Sequence, residues 1–412
     1  MGRHQTTSAM TLALALAAGG AAAECGIETG SVRILSNDFP ALHAVIDAAK
    51  ECASDSVEVT SNATAEHAEL QGPGLSGNPA EYTVKILAND SVTPLLTAGL
   101  LRPLDDLVAE YGQGLQESQL IRINGQVMAI AFMANAQHLT YRSDILEQAG
   151  VEPPTSYEEV LAAAEAIRAA GLMEAPLAAS NKPGWDLAEE FVNMYLGLGG
   201  AFFEPGTANL AIDPAKAAQA LEMMRSLAAY MPADFNTFDT NATSSLYQDG
   251  RIALMNMWGS RAGSFLDPAQ SQPEVAENTV FASAPTVGGG SIPATTIWWD
   301  GFGIAQNVPD EDAEASFRAM MHALSPEMAN ANTDLAAWLI PGFEPGPASA
   351  GVIASAQAGA KPYPMEPQMG ILHTALGAEL SDFMAGSESA DQALQDVAAA
   401  YEAAAREQGF IQ

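Results

Sequence analysis

The residues most able to do chemistry in this sequence are its tryptophans and the short polar side chains that follow apolar stretches. Five tryptophans are present. Trp185 sits in the loop Lys182-Pro183-Gly184-Trp185-Asp186, Trp258 follows Met255-Asn256-Met257, and Trp298-Trp299-Asp300-Gly301 lies in an apolar run. Trp338 has the surroundings of a core residue as much as of a site residue. Asn37 and Asp38 follow an apolar stretch at 32–35, and Asn89 and Asp90 follow another at 82–87. Flat aromatic faces combined with directional polar groups suit a ligand with apolar C–H faces and a rim of hydroxyls. Carboxylates strengthen such a site, because a charged acceptor roughly doubles the strength of a hydrogen bond. Asp and Asn also favour loops for local reasons, so their position in the fold has to decide.

The elements supply that position. A strand at 32–35 leads through a loop to a helix at 41–52, then to strands at 57–60 and 82–87, an alternation that indicates a parallel α/β sheet. Ligands of such sheets bind beyond the carboxyl ends of the strands, which marks the loops carrying Asn37, Asp38 and Asp90. An acidic helix at 103–111 and a turn at Asn124-Gly125 follow. Strands at 127–132 and 139–141 come next, then a helix capped by Thr155 or Ser156 with Glu158 and Glu159 in its first turn. Ala-rich helices run to Tyr230, the Gly/Pro-rich 285–293 reads as a connection, and 295–304 is an apolar strand. The tail 371–412 reads as two helices broken at Gly386. Adjacent strand residues face opposite sides, so only one of Trp298 and Trp299 can reach a ligand. Trp299, with Asp300, is the expected site residue, and Trp298 remains open as the alternative.

Composition narrows the classes. The net charge is −34, with 16 Lys and Arg against 50 Asp and Glu. Nucleic-acid binding needs clustered cations and is excluded; such a charge serves solubility. No phosphate loop, nucleophile elbow or H-E-x-x-H metal helix occurs. Gly288-Gly289-Gly290 lacks the following Lys of a phosphate loop and reads as a linker. His43, His67, His138, His322 and His373 are scattered singly, so neither a metal nor a cofactor is expected. Acidic residues are too abundant for any pair to indicate glycoside hydrolysis.

Arg3, the apolar 9–18 and Ala21-Ala22-Ala23 have the form of a secretory signal peptide, 1–23, cleaved after Ala23. The apolar run falls short of the roughly 20 residues a membrane span needs. Glu24 before Cys25 argues against a lipid anchor on that cysteine. Cys25 and Cys52 are the two cysteines, and an oxidising compartment favours one disulfide between them. The first strand starts at the far end of its sheet and the following helix returns there, so the pair should meet.

The residues Gly99-Leu100-Leu101, Pro103-Leu104-Asp105-Asp106, Asn124-Gly125-Gln126-Val127, Tyr141-Arg142-Ser143-Asp144 and Pro154-Thr155-Ser156-Tyr157-Glu158-Glu159 recur in an order and spacing that resemble the family 1 extracellular solute-binding proteins. The segment from Tyr247 to Met255 resembles the family's approach to a ligand-stacking tryptophan, here Trp258, and Pro367-Gln368-Met369 resembles a C-terminal motif. The resemblance implies a two-lobed periplasmic binding protein fold, α/β, with a mostly parallel, helix-flanked sheet in each lobe and three hinge crossings. It implies 24–131 and 286–332 as lobe 1, and 132–285 and 333–412 as lobe 2. It aligns Asp90 and Asn135 with positions that grip sugar hydroxyls, and brings Trp185 close to an aromatic platform. Tyr82-Thr83 departs from a usual Pro-Asp pair. Leu372 or His373 stands where the maltodextrin binder has a stacking Trp, which favours a small ligand over a long oligosaccharide.

The resemblance implies a monomeric, non-enzymatic substrate-binding component of an ABC importer that delivers a neutral mono- or disaccharide or polyol to membrane permease subunits. Three alternatives stay open. Tryptophan faces with Asp300 suit a quaternary amine, Arg261 suits an anionic sugar derivative, and a secreted glycosidase would also show aromatics and carboxylates in a cleft.

Overall fold

The computed structural model describes residues 25–412, so the expected signal peptide and its cleavage point lie outside the described residues. The strands are β1 (Gly30–Ser36), β2 (Val57–Ala63), β3 (Val84–Ala88), β4 (Leu120–Ile123), β5 (Gln126–Asn135), β6 (Gln137–Arg142), β7 (Leu177–Ala178), β8 (Leu254–Trp258), β9 (Thr279–Ala282), β10 (Thr296–Ile304), β11 (Ala337–Trp338) and β12 (Lys361–Pro362). The larger sheet has the order β11-β5-β10-β3-β1-β2, with β4 on β5 and β12 on β10, and the smaller has the order β7-β8-β6-β9. Helices flank both, giving the expected α/β class. Among the described residues no helix is long and apolar enough to cross a membrane.

β1 runs parallel to β2 and β3, with helix Pro40–Lys50 as the crossover after β1, as parallel strands require. The short pairs β7–β8 and β10–β12 are also parallel, but the remaining pairings depart from the expected mostly parallel sheets. β10 is antiparallel to both β3 and β5, and β6 is antiparallel to β8 and β9. One cause is local: Asn124 and Gly125 take φ of 52° and 83° and fold β4 back on β5 as a hairpin. The other is topological, because β10 enters the first sheet from a distant part of the chain and needs no crossover helix.

Two hydrophobic cores result. One gathers Val32, Ile34, Phe132, Phe302 and Phe317, the other Phe191, Tyr195, Tyr247, Leu254 and Phe383. The chain passes between them after Met133, between Trp298 and Trp299, and after Ile340. A small third cluster gathers Ala136, Ala337 and Val352. These transitions differ from the expected 131, 286 and 332. The Gly/Pro-rich stretch is bound into the second core: Val287 and Ala294 are buried there, and Tyr157 N–H donates to the Thr286 carbonyl at 2.8 Å. The connection is β10 itself. Trp338 packs in the first core, and its indole N–H donates to the Asn332 carbonyl at 2.9 Å.

Cys25 and Cys52 form a disulfide with Cα atoms 5.6 Å apart. It ties the segment before β1 to the end of helix Pro40–Lys50, at the opposite end of β1 from its carboxyl terminus.

Candidate ligand-binding site

A cleft with a volume of about 470 Å³ opens beyond the carboxyl ends of β1 and β3, a size typical of small-molecule sites. Asn37 and Asp38, just after β1, line it, as do Asp90 in the first turn of helix Asn89–Thr97 and Asp300 on β10. Trp258 of the second core lines it too, with Trp185 and Asp186 from the start of helix Trp185–Gly197, Arg261 from the turn after β8, and Asn135 at the junction. The structure therefore brings Asn37, Asp38, Asp90, Asn135, Trp185, Trp258 and Asp300 to one cleft. A larger groove of about 880 Å³ lies between residues 203–210 and the C-terminus. Its Arg406 is already paired with Glu402 at 2.8 Å, and it offers no comparable convergence of aromatic and polar groups.

Trp299 is not on the cleft wall, which corrects the expectation. It is buried in the first core, and its backbone N–H donates to Asn89 Oδ1 at 2.8 Å. Trp298 lines the cleft instead. The reason is strand alternation: Trp298 and Asp300 are two residues apart and share a face. Asp300 thus carried the signal that selects Trp298 over Trp299.

Three indoles make the aromatic wall. Ring centroids are 6.0 Å apart for Trp185 and Trp258, 5.7 Å for Trp185 and Trp298, and 6.0 Å for Trp258 and Trp298. Trp185 is 44% exposed, whereas Trp258 and Trp298 are buried, so Trp185 offers the open face. It opens helix Trp185–Gly197 directly after Gly184, whose φ of 109° excludes most other residues. Gly377 packs so closely on the Gly184 backbone that a Cβ would not fit there. Trp298 is backed by Tyr363 at 4.1 Å and Trp185 by His373 at 5.2 Å between centroids. His373 therefore supports the platform from behind.

The opposite wall is polar and electrically coupled. Asp90 keeps solvent contact, yet the crowding of the cleft raises its pKa, opposed by Lys85 and by backbone N–H groups. Burial pushes the Asp300 carboxyl up to about 7, with repulsion from Asp90 adding. Lys85, fully buried on β3, is pulled down to about 8 by desolvation, against the attraction of Asp90 and Asp300. Its Nζ donates to the Ile86 carbonyl at 2.6 Å and to His67 Nδ1 at 3.0 Å. Burial, then Lys85, holds His67 down to about 4, so its ring accepts that bond in neutral form. One ammonium thus offsets two carboxylates behind the cleft surface. The sequence carried a trace of this, a single Lys inside the apolar Val84-Lys85-Ile86-Leu87.

The other polar residues are partly committed to the protein. Asn135 Oδ1 accepts from the backbone N–H of Ala136 and Ser260, and its Nδ2 donates to Ser260 Oγ at 3.2 Å. It thereby fastens the end of β5 to the turn after β8. Asn37 Oδ1 accepts from Asp38 N–H at 2.7 Å, and Asp38 meets His43 Nε2 at 2.7 Å in an exposed pair that adds little stability. Asn89 ties helix to strand and does not line the cleft.

Carboxylate acceptors thus stand on one wall of the cleft and indole faces on the other. The chain belongs to the bacterial extracellular solute-binding protein family, which it matches over residues 36–329. It is a family of extracellular binding proteins. A probable sugar-binding periplasmic protein of Rhizobium meliloti (strain 1021) is 25% identical over 287 residues, 57% of this chain and 64% of that protein's length. This chain therefore matches less than two thirds of that relative. The solute-binding protein of an Agrobacterium radiobacter K84 ABC transporter, solved with ribitol, superposes with a TM-score of 0.76 at 17% identity, covering 92% of this chain and 99% of the other. Maltose-bound MalE3 of T. maritima gives 0.77 at 17% identity, covering 91% and 99%. An Agrobacterium vitis S4 solute-binding protein with bound D-mannitol gives 0.74 at 18% identity, covering 93% and 100%. These likenesses concern the fold.

Proposed function

We propose that this protein is the substrate-binding component of an ABC importer, working in the periplasm and capturing a neutral mono- or disaccharide or a polyol. The observation that carries this is the cleft itself, with Asp90 and Asp300 of the first sheet's side lining it together with Trp185, Trp258 and Trp298. A ligand spanning that gap contacts both bodies and favours their closed arrangement to the extent that it binds that arrangement better. Lobe 1 comprises residues to Met133 and from Trp299 to Ile340, and lobe 2 the remainder of the described chain. The ribitol, D-mannitol and maltose bound by proteins of the same fold support a small polyhydroxylated ligand. In this reading the protein is exported through its 1–23 signal, carries no lipid, acts as a monomer without catalysis, and hands its ligand to permease subunits.

Arg261 favours a second reading. Its guanidinium lines the cleft, and among the described residues it has no ion-pair partner within 4 Å, so a sugar acid could take its donors. Mass spectrometry of the molecule released on denaturation, with a thermal-shift panel of polyols, sugars, sugar acids and betaines, separates these readings. A true ligand at a hundredfold excess over its Kd adds about 2.7 kcal/mol of stability. A panel in which no polyol or neutral sugar shifts the melting temperature overturns the leading reading.

A further inference from the structure

A buried chain of polar groups runs from the edge of Trp298 to the first crossing between the two cores. The Trp298 indole N–H lies 3.1 Å from Glu189 Oε1 and 2.9 Å from Thr296 Oγ1. Thr296 Oγ1 lies 2.6 Å from Glu189 Oε1 and 2.8 Å from Asn193 Oδ1. Asn193 Nδ2 donates to Gln137 Oε1 at 3.2 Å, and Gln137 Nε2 donates to Glu190 Oε1 at 3.3 Å. All of these side chains are buried, Glu189 and Thr296 completely.

The protons in this chain can be counted. The threonine hydroxyl has one proton but touches two oxygens, so one of its contacts needs a proton from elsewhere. With the amides as placed, Thr296 donates to Asn193 and the Glu189 carboxyl must donate to Thr296. With both amides reversed, Thr296 donates to Glu189, and the Gln137 oxygen then faces Glu190, which must be protonated instead. Reversing only one amide sets oxygen against oxygen or nitrogen against nitrogen. Either way one of the two carboxyls is neutral and hydrogen-bonded. Burial raises both carboxyls to about 8, consistent with this count.

We propose that Glu189 is a positioning residue for the ligand: through Thr296 and the Trp298 indole it fixes the aromatic wall of the cleft, as a hydrogen-bonding group and not as a charge. This rests on the cleft being the ligand site. Glu189 lies one turn after Trp185 on helix Trp185–Gly197, so a single helix presents one indole and grips the edge of another. Its Oε2 has no partner among the described residues, so only Oε1 serves the anchor. An amide can replace the carboxyl, with its oxygen accepting from Trp298 and Thr296 while Glu190 carries the proton.

The test compares Glu189→Ala, Glu189→Gln and Thr296→Val in the mature chain. The first readout is near-ultraviolet circular dichroism, which senses the mutual orientation of the indoles and needs no ligand. The second is calorimetric affinity for whichever of ribitol, D-mannitol, D-tagatose or maltose binds the wild type. Glu189→Ala and Thr296→Val are expected to halve the tryptophan dichroism at least and to weaken binding tenfold or more, with far-ultraviolet spectra unchanged. Glu189→Gln is expected to restore both to within threefold of wild type. Glu189→Ala retaining wild-type dichroism overturns the proposal, as does Glu189→Gln behaving like Glu189→Ala. Should Glu189→Ala fail to fold, Thr296→Val and Glu189→Gln decide alone. If none of the four probes binds the wild type, the polyol reading fails, and the dichroism still decides the positioning role.

Discussion

His373 Nε2 lies 3.0 Å from the backbone carbonyl of Trp185. The other ring nitrogen, Nδ1, lies 2.9 Å from the Tyr363 hydroxyl. One donor and one acceptor describe a neutral imidazole with the proton on Nε2. Burial enforces this form by holding the ring down to about 4.

That ring makes stability pH-dependent with a definite sign. Its folded pKa is depressed, so its contribution is complete above the unfolded value near 6.5 and is lost as pH falls toward 4. His373→Gln keeps a donor and an acceptor but does not titrate. Denaturant unfolding at pH 7 and pH 4.5 should show the variant losing less than wild type by about 2–3 kcal/mol. Equal losses would mean the ring is already charged in the fold.

Asp300 has the opposite sign. Its folded pKa is raised, to about 7, so its favourable contribution is present below the unfolded value and disappears as pH rises through 7. Asp300→Asn should therefore be more stable than wild type at pH 8, on the order of 1–3 kcal/mol, with little difference at pH 4. At pH 8, where the carboxyl is ionised, the same substitution removes a charged acceptor from the cleft, so ligand affinity should fall about tenfold or more. A variant that binds normally would take Asp300 out of the site.

Trp299, buried in the first core, should behave differently from the cleft indole Trp258. Trp258→Ala should weaken ligand binding by about 2–3 kcal/mol, and Asp90→Ala by a comparable amount. Trp299→Phe should lower thermal stability and leave the calorimetric affinity within threefold. Small-angle scattering should show a smaller radius of gyration at saturation. An unchanged radius would argue against closure, and a Trp258→Ala protein with wild-type affinity would remove that indole from the site.

The disulfide spans a sequence separation of 27, and closing such a loop stabilises by about 3–4 kcal/mol in the chain-entropy model. The double variant Cys25→Ser, Cys52→Ser should lose stability on that scale in chemical denaturation. Its ligand affinity should not change, because the bond lies at the end of β1 away from Asn37 and Asp38.

Much of the lobe architecture was legible because strand–loop–helix punctuation is local: the stretches ending at Leu35 and Leu87 are strands, and polar cleft residues follow both. Strand direction was not legible, because nothing within 295–304 says that it will lie antiparallel between two distant strands. The carboxylates and tryptophans could be named since their chemistry shows in their identity. Glu189 and Tyr363 could not, since they meet Trp298 from far away in sequence, and Lys85 left only the trace of a lone cation in an apolar strand, because burial of a charged side chain is a property of the assembled core. Trp299 was misplaced although the alternation of β10 held the answer in its relation to Asp300.

At the second of the three crossings the seam between the two cores falls at a single peptide link, with Trp298 on one side and Trp299 on the other. There is no slack at that point. At this crossing, a rotation of one body against the other falls on the dihedrals of these neighbouring residues and on the irregularity in pairing at Asp300 and Gly301. An indole of the ligand wall is therefore mounted on the axle itself. Its emission should report the angle between the bodies directly, making the unlabelled protein its own optical gauge of occupancy.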